Sequence, residues 1–256
     1  METVRSRSES RERSRPRFLA TSEKATASSF VTTRRPRFQK VRSKLPPEGS
    51  LAKVVSTGVA FGDSFRTNYK GAQDEPFKDA VPLIFGNKIG YVRLEQLERN
   101  LAWVSKWKVL IPNAGDGNGR ERAYVLGEPI GLAPGSACTQ TYLVAGTFST
   151  RDETENYATY LTTKFARFLV LQRKITQHVT ADRFKFVPWL DFTRTWTDAD
   201  LYKRFALTSE EIAYIENAVL EREWVNSLDS PIPATHLRGG KKYGSKGEIS
   251  APEDDE

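Results

Sequence analysis

TYLVAGTFSTRDETENYATYLTTKFARFLVLQ, residues 141–172, decides the fold. It opens on an apolar run, Thr141 to Ala145, bounded by turn-forming residues, which reads as a strand. Thr150 and Glu153 then form a capping box, in which each side chain satisfies the other's free backbone N–H. Tyr157, Leu161, Phe165, Phe168 and Leu169 follow at spacings of three and four, one apolar stripe of a helix over 150–172. Arg173 and Lys174 close it, where cations suit the negative end of the helix dipole. A strand feeding a core-facing helix directly requires a mixed fold.

Working outward, residues 51–148 read as β-rich. Short apolar stretches recur at 54–55, 81–85, 89–92, 108–111, 124–126 and 141–145. Gly86-Asn87, the loop at 113–119 and Pro134-Gly135-Ser136 punctuate them. One helix is expected near Leu94 to Ala102. Downstream, RFKFV at 183–187 alternates charged and apolar residues as a half-buried strand does, up to Pro188. Thr197 caps a short helix to Phe205, and Thr208 with Glu211 opens another to about Trp224. Strands and helices follow no regular βαβ series. The expected class is α+β: a mixed, β-rich domain at 51–226 with a long amphipathic helix and C-terminal helices. Flanking segments 1–50 and 227–256, rich in charge, Ser, Pro and Gly, read as disordered tails.

Charge divides along the same boundaries. The 256-residue chain carries a net +7. Residues 1–44 hold 13 basic and 4 acidic residues, or +9; residues 45–226 hold 22 of each; residues 227–256 hold 4 and 6. The basic character belongs to the N-terminal tail, which reads as a solvated segment, a phosphate-contacting arm, a transit peptide or the remnant of a truncated gene. One cysteine, Cys138, excludes a disulfide framework and a Cys-based zinc site, and fits a cytoplasmic location. No apolar run approaches the roughly 18–20 residues of a membrane span.

Several catalytic signatures are missing. The one Pro-Pro, in LPPE at 45–48, lacks the polar and aromatic neighbours of an amine-methylation motif, and no Gly-rich cofactor or phosphate loop joins a strand to a helix. There is no PD…[DE]xK nuclease arrangement and no GxSxG elbow. Three segments carry binding chemistry instead. In SKWKVLIP, 105–112, Lys106 and Lys108 alternate with Trp107 and Val109, so both cations are expected on one strand face. In QRKITQHVTADRFKFVP, 172–188, Arg173, Lys174, Arg183 and Lys185 surround Gln177 and His178; the cations suit phosphates, and Gln suits an adenine edge. In FGDSFRTNYKG, 61–71, Arg66, Asn68, Tyr69 and Lys70 sit among turn residues.

Taken together, these blocks resemble the region C-terminal to the catalytic domain in bacterial adenine-specific DNA methyltransferases of type II and IIG restriction-modification systems. The matching stretches are VVSTGVAFGDSFRTNYKG (54–71), IGYVRL (89–94), SKWKVLIPNAG (105–115), 137–188 and WTDADLYKRFALTSEEIAYIENAV (196–219), about two-thirds of the chain. In that family the region is regarded as the target-recognition part. The resemblance implies a module that binds double-stranded DNA, and the three segments above offer Arg66, Asn68, Lys70, Lys106, Lys108, Arg173, Lys174, Gln177, Arg183 and Lys185 for the contact. The catalytic half is missing, so S-adenosylmethionine would belong to a separate methyltransferase subunit, and this chain carries no cofactor or metal of its own. Gln140 stands where the family pattern leads one to expect Glu. Two other readings compete: a restriction endonuclease using Asp182, Asp191, Asp198 and Asp200, and a scaffold whose basic tail binds nucleic acid.

Overall fold

Both faces of the sheet that carries the 142–148 run are buried, and the chain is arranged around that fact. The computed structural model describes residues 41, 43, 45–46, 49–86, 88–114, 123–173, 178–224 and 228. The chain divides into Met1–Pro36 and Arg37–Glu256, and every described residue lies in the second unit. Among them are six strands: Val81–Phe85 (β1), Lys88–Val92 (β2), Trp107–Pro112 (β3), Ile130–Leu132 (β4), Ala137–Cys138 (β5) and Tyr142–Phe148 (β6). The helices are Leu101–Val104 (α1), Arg151–Thr162 (α2), Lys164–Leu171 (α3), Asp198–Arg204 (α4) and Ser209–Ala218 (α5). The fold is α+β. No described helix is long and apolar enough to cross a membrane.

The strands form two three-stranded sheets, ordered β2-β1-β5 and β4-β3-β6. Side chains alternate across a strand, and β3 uses both faces. Val109 and Ile111 join Leu143 and Ala145 in the core shared with the helices. Leu110 joins Tyr142 and Val144 in a second core against β1 and β5. The β3–β6 register shifts between Val109 and Leu110, so that Val109 faces Gly146 while Leu110 faces Val144. The extra residue moves the helix face of β6 from Ala145 to Phe148, three positions on, where Phe148 stacks on Trp189. Gly146 beside it is closely packed. An added Cβ would lie 3.2 Å from the Tyr157 ring, whose hydroxyl donates to the Ala145 carbonyl at 2.8 Å.

The single helix expected over 150–172 is two helices. Its capping box is present as read, with Thr150 and Glu153 bonded reciprocally. The break falls at Thr163, whose ψ of 145° is extended and whose hydroxyl accepts from the Ala166 N–H. A break frees backbone groups on both sides, and two side chains, the buried Arg167 and the half-buried Asp198, satisfy them. Arg167 Nε donates to the carbonyls of Thr162 and Thr163 at 2.9 and 3.3 Å. Asp198 accepts from the N–H groups of Lys164 and Phe165 at 2.9 and 2.8 Å. Lys164 then pairs with Glu216 and, at 2.6 Å, with Glu221, tying α3 to α5.

Other expectations are corrected. RFKFV is no strand: residues Ala181–Phe184 form a 3₁₀ turn, and Phe184 and Val187 are buried at a spacing of three. The 94–102 helix is a 3₁₀ turn, Leu94–Gln96, and α1, separated by Asn100 in a left-handed conformation. Val54-Val55 follows the 3₁₀ turn Leu51–Lys53, and 124–126 lies outside the strands. The last helix stops at Ala218, because Leu220 leaves it to donate to Ala123, and Trp224 reaches the Pro129 carbonyl. The core also reaches beyond the expected domain limits at both ends. Val41 is wholly buried, and Leu228 sits 2.7 Å from where a Gly131 Cβ would be. Residues 43, 45–46 and 49–50 are described too, with Ser50 bridging Pro188, and the remainder of the tails lies outside the described residues.

Candidate nucleic-acid interface

The loop carrying Arg66, Asn68 and Lys70 is held by an acidic clamp. Glu98 accepts from the backbone N–H of Asp63 at 2.8 Å and of Ser64 at 3.2 Å. Hydrogen bonding to Ser64 and Asp63 holds the Glu98 carboxyl below its ordinary range, because bonds to the charged form favour it. Gly62, at φ +139°, is required here: an added Cβ would lie 2.6 Å from the Glu98 carboxyl carbon. Arg99 pairs with Asp63, and Asn100 Nδ2 donates to the Ala60 carbonyl at 2.6 Å. Arg66, Asn68 and Lys70 are exposed beyond this clamp, and Phe65 and Tyr69 pack ring on ring, with centroids 4.7 Å apart, beneath them.

A chain of hydrogen bonds joins this loop to the second basic segment. Gln140 N–H donates to the Phe65 carbonyl at 2.7 Å. Asn113 Nδ2 donates to the Gln140 carbonyl at 3.2 Å. The Asn113 carbonyl in turn accepts from Val179 N–H at 2.8 Å, and Ala114 bridges His178. Phe65, Asn113, Ala114, Gln140, His178 and Val179 therefore meet just past the C-terminal end of β3. The β1–β2 turn joins them, since Gly86 N–H donates to Thr141 and Tyr142 donates to the Gly86 carbonyl. That turn presents exposed Lys88. Asn113, Gln140 and Lys88 were not among the expected site residues, although Gly86-Asn87 marks the turn in the sequence.

The expected cations divide into groups. Arg66, Lys70, Lys106 and Lys185 are exposed; among the described residues no salt bridge is formed by them, although the charge of Lys185 acts on the Asp182 carboxylate. Arg173 is half-buried, donating to Asp182 at 2.6 and 3.1 Å, and lies 5.2 Å from the Phe186 ring centroid. Asp182 is held below its usual range by that pairing. Arg183 is buried and donates to the Arg173 carbonyl, so it fastens the segment rather than presenting charge. Lys174 and Gln177 lie outside the described residues. Lys106 precedes β3, roughly 20 Å of strand from Asn113 at ~3.3 Å per residue.

Lys108 is corrected outright. It is 0% exposed and does not share an open face with Lys106. The side of β3 that carries it is covered by the second sheet and by the 133–136 connection. Its ammonium donates to the Val104 carbonyl and to Ser136 Oγ, both at 3.4 Å. Burial pulls it down to about 8.

Comparison of the chain with known families, with characterised proteins and with solved structures gives no match.

The four carboxylates of the endonuclease reading each have another task. Asp182 pairs with Arg173, Asp191 accepts from Thr193, Asp200 completes the Thr197 capping box, and Asp198 caps α3. No group of three metal-ligating side chains occurs among the described residues.

Proposed function

We propose that this chain is the DNA target-recognition part of a restriction-modification adenine methyltransferase system, acting on duplex DNA while a separate subunit performs methyl transfer. One observation carries this reading. Phe65, beside Arg66, is linked through Gln140 and Asn113 by hydrogen bonds to Val179, which opens the segment leading to Lys185, far apart in sequence. Unpaired cations beside exposed Asn68 are the combination that positions a phosphate backbone and reads base edges. The neutral balance of residues 45–226 fits such a local face, because Glu residues of α5 and its C-terminal extension offset it elsewhere.

The test is duplex DNA binding by the full chain across a salt series. Each lost phosphate contact flattens the slope of log K against log salt by about 0.9. Substituting Arg66, Lys70 and Lys185 together by Ala should reduce that slope by about 2–3, while Lys106→Ala leaves it unchanged. Removing residues 1–36 should lower overall affinity and keep sequence preference. Binding that is indifferent to the triple substitution and vanishes with residues 1–36 would assign the affinity to the tail and refute the proposal.

A further inference from the structure

A second site lies on different residues. Pro82 and Ile84 of β1, Ile89 of β2, Leu132 of β4, and Pro134 and Ser136 of the connection to β5 line a cavity of ≈ 110 Å³. None of them belongs to the loops of the nucleic-acid interface. The walls are apolar, and Ser136 is among them, its hydroxyl donating to the Ala133 carbonyl at 3.4 Å. Behind it stands Lys108, wholly buried, with Nζ 3.4 Å from Ser136 Oγ. A buried ammonium ordinarily needs a carboxylate, and among the described residues Lys108 has only the Val104 carbonyl and the Ser136 hydroxyl. The Gly135 N–H also donates to the Val104 carbonyl, at 2.7 Å, which fixes the 133–136 connection over the lysine.

We propose that Ser136 and Lys108 form an acyl-transfer dyad, with the Ser136 hydroxyl as nucleophile, the Lys108 amine as general base, and the cavity as the seat of a small apolar acyl group. A hydroxyl nucleophile needs an adjacent base, and a desolvated lysine is one of the groups that serves. Ser136 Oγ attacks the ester carbonyl carbon and its proton passes to the neutral amine. The bond to the leaving alcohol breaks, and the Lys108 ammonium returns the proton to the departing oxygen. Water, deprotonated by the same amine, then releases the acid and restores the hydroxyl. At ~30 Å³ for each water-sized group, the cavity holds an acyl chain of about four heavy atoms. The titratable neighbours of Lys108 stay neutral in the working range. Burial pushes the Cys138 thiol up to about 12, and it raises the Tyr142 phenol.

The experiment treats the full chain with a short-chain alkyl fluorophosphonate and maps the adduct by peptide mass, with p-nitrophenyl butyrate turnover in parallel. A single adduct on Ser136 is expected, absent in Ser136→Ala. Its rate of formation should climb as pH rises through about 8, where Lys108 loses its proton. Lys108→Met and Lys108→Arg should each slow labelling by about 100-fold or more, with melting of the Met variant no lower than that of the parent. Absence of an adduct on Ser136, or labelling equally fast in both Lys108 variants, would overturn the proposal.

Discussion

Replacing Lys108 by Met should make this protein more stable, and by an amount that depends on pH. Lys108 sits in the core between the two sheets, and burial pulls its ammonium from 10.5 down to about 8. At about 1.4 kcal/mol for each tenfold change in proton affinity, charging it in the folded state costs about 3 kcal/mol. Methionine matches the length and removes the charge. The hydrogen bonds lost are long, both at 3.4 Å, and the Val104 carbonyl keeps the Gly135 N–H while Ser136 keeps the Ala133 carbonyl. That loss offsets the gain by about 1 kcal/mol. The net gain near neutral pH is about 2 kcal/mol, a rise in Tm of roughly 4–8 °C for a domain of this size.

The sign with pH follows from linkage. Between about 8 and 10.5 the unfolded lysine holds a proton that the folded one has released, so wild-type stability gains as pH rises through that window. Below it both states are charged and the full penalty applies. Urea denaturation of both proteins from pH 6 to 10.5 reads the difference directly. It should be flat below pH 8 and shrink above it. A variant less stable than wild type at pH 7, or a difference that does not change with pH, would refute the account of Lys108 as a buried, desolvated cation.

Two further outcomes are expected. Asp198→Ala leaves the Lys164 and Phe165 N–H groups without acceptors and should lower the urea-derived stability by about 2 kcal/mol, with Asp198→Asn recovering part of it; the endonuclease reading instead requires lost Mg²⁺-dependent cleavage in a fully stable protein. Glu98→Gln should speed hydrogen exchange at Asp63 and Ser64 without moving the global transition. In wild type the same protection should persist to acidic pH and fail only as pH falls below the ordinary carboxylate range, because the anchored form is the charged one.

Local chemistry in the sequence located most of the regular elements. The capping boxes at Thr150 and Thr208 and the cap at Thr197 sit where they were read, since each is complete within four residues; at Thr197 the structure adds a reciprocal bond from Asp200. The hairpin at 81–92 was legible from its turn and flanking apolar runs. RFKFV misled because alternation over five residues is also compatible with a 3₁₀ turn that buries positions three apart. The split at Thr163 was invisible, since the groups that make it tolerable, Arg167 and Asp198, are recruited from a later turn and from 35 residues away. Among the candidate site residues, exposure of Arg66 and Lys70 follows from polar loop composition, and that of Lys185 from its alternation with Phe184 and Phe186. Burial of Lys108 does not, because alternation predicts two faces and says nothing of what covers each.

Composition and short-range pattern by themselves determined an α+β chain, where the helices after Thr150, Thr197 and Thr208 begin, and that its net charge resides in the first 44 residues. Those properties depend on neighbours within a turn or two. Only the tertiary structure decided that β3 is covered on both faces, that Phe65 and Val179 are linked through Gln140 and Asn113, and that Lys108 lies behind Ser136. These depend on contacts between residues tens of positions apart, whose pairing is set by packing of the two sheets and the helices and leaves no local mark in the chain.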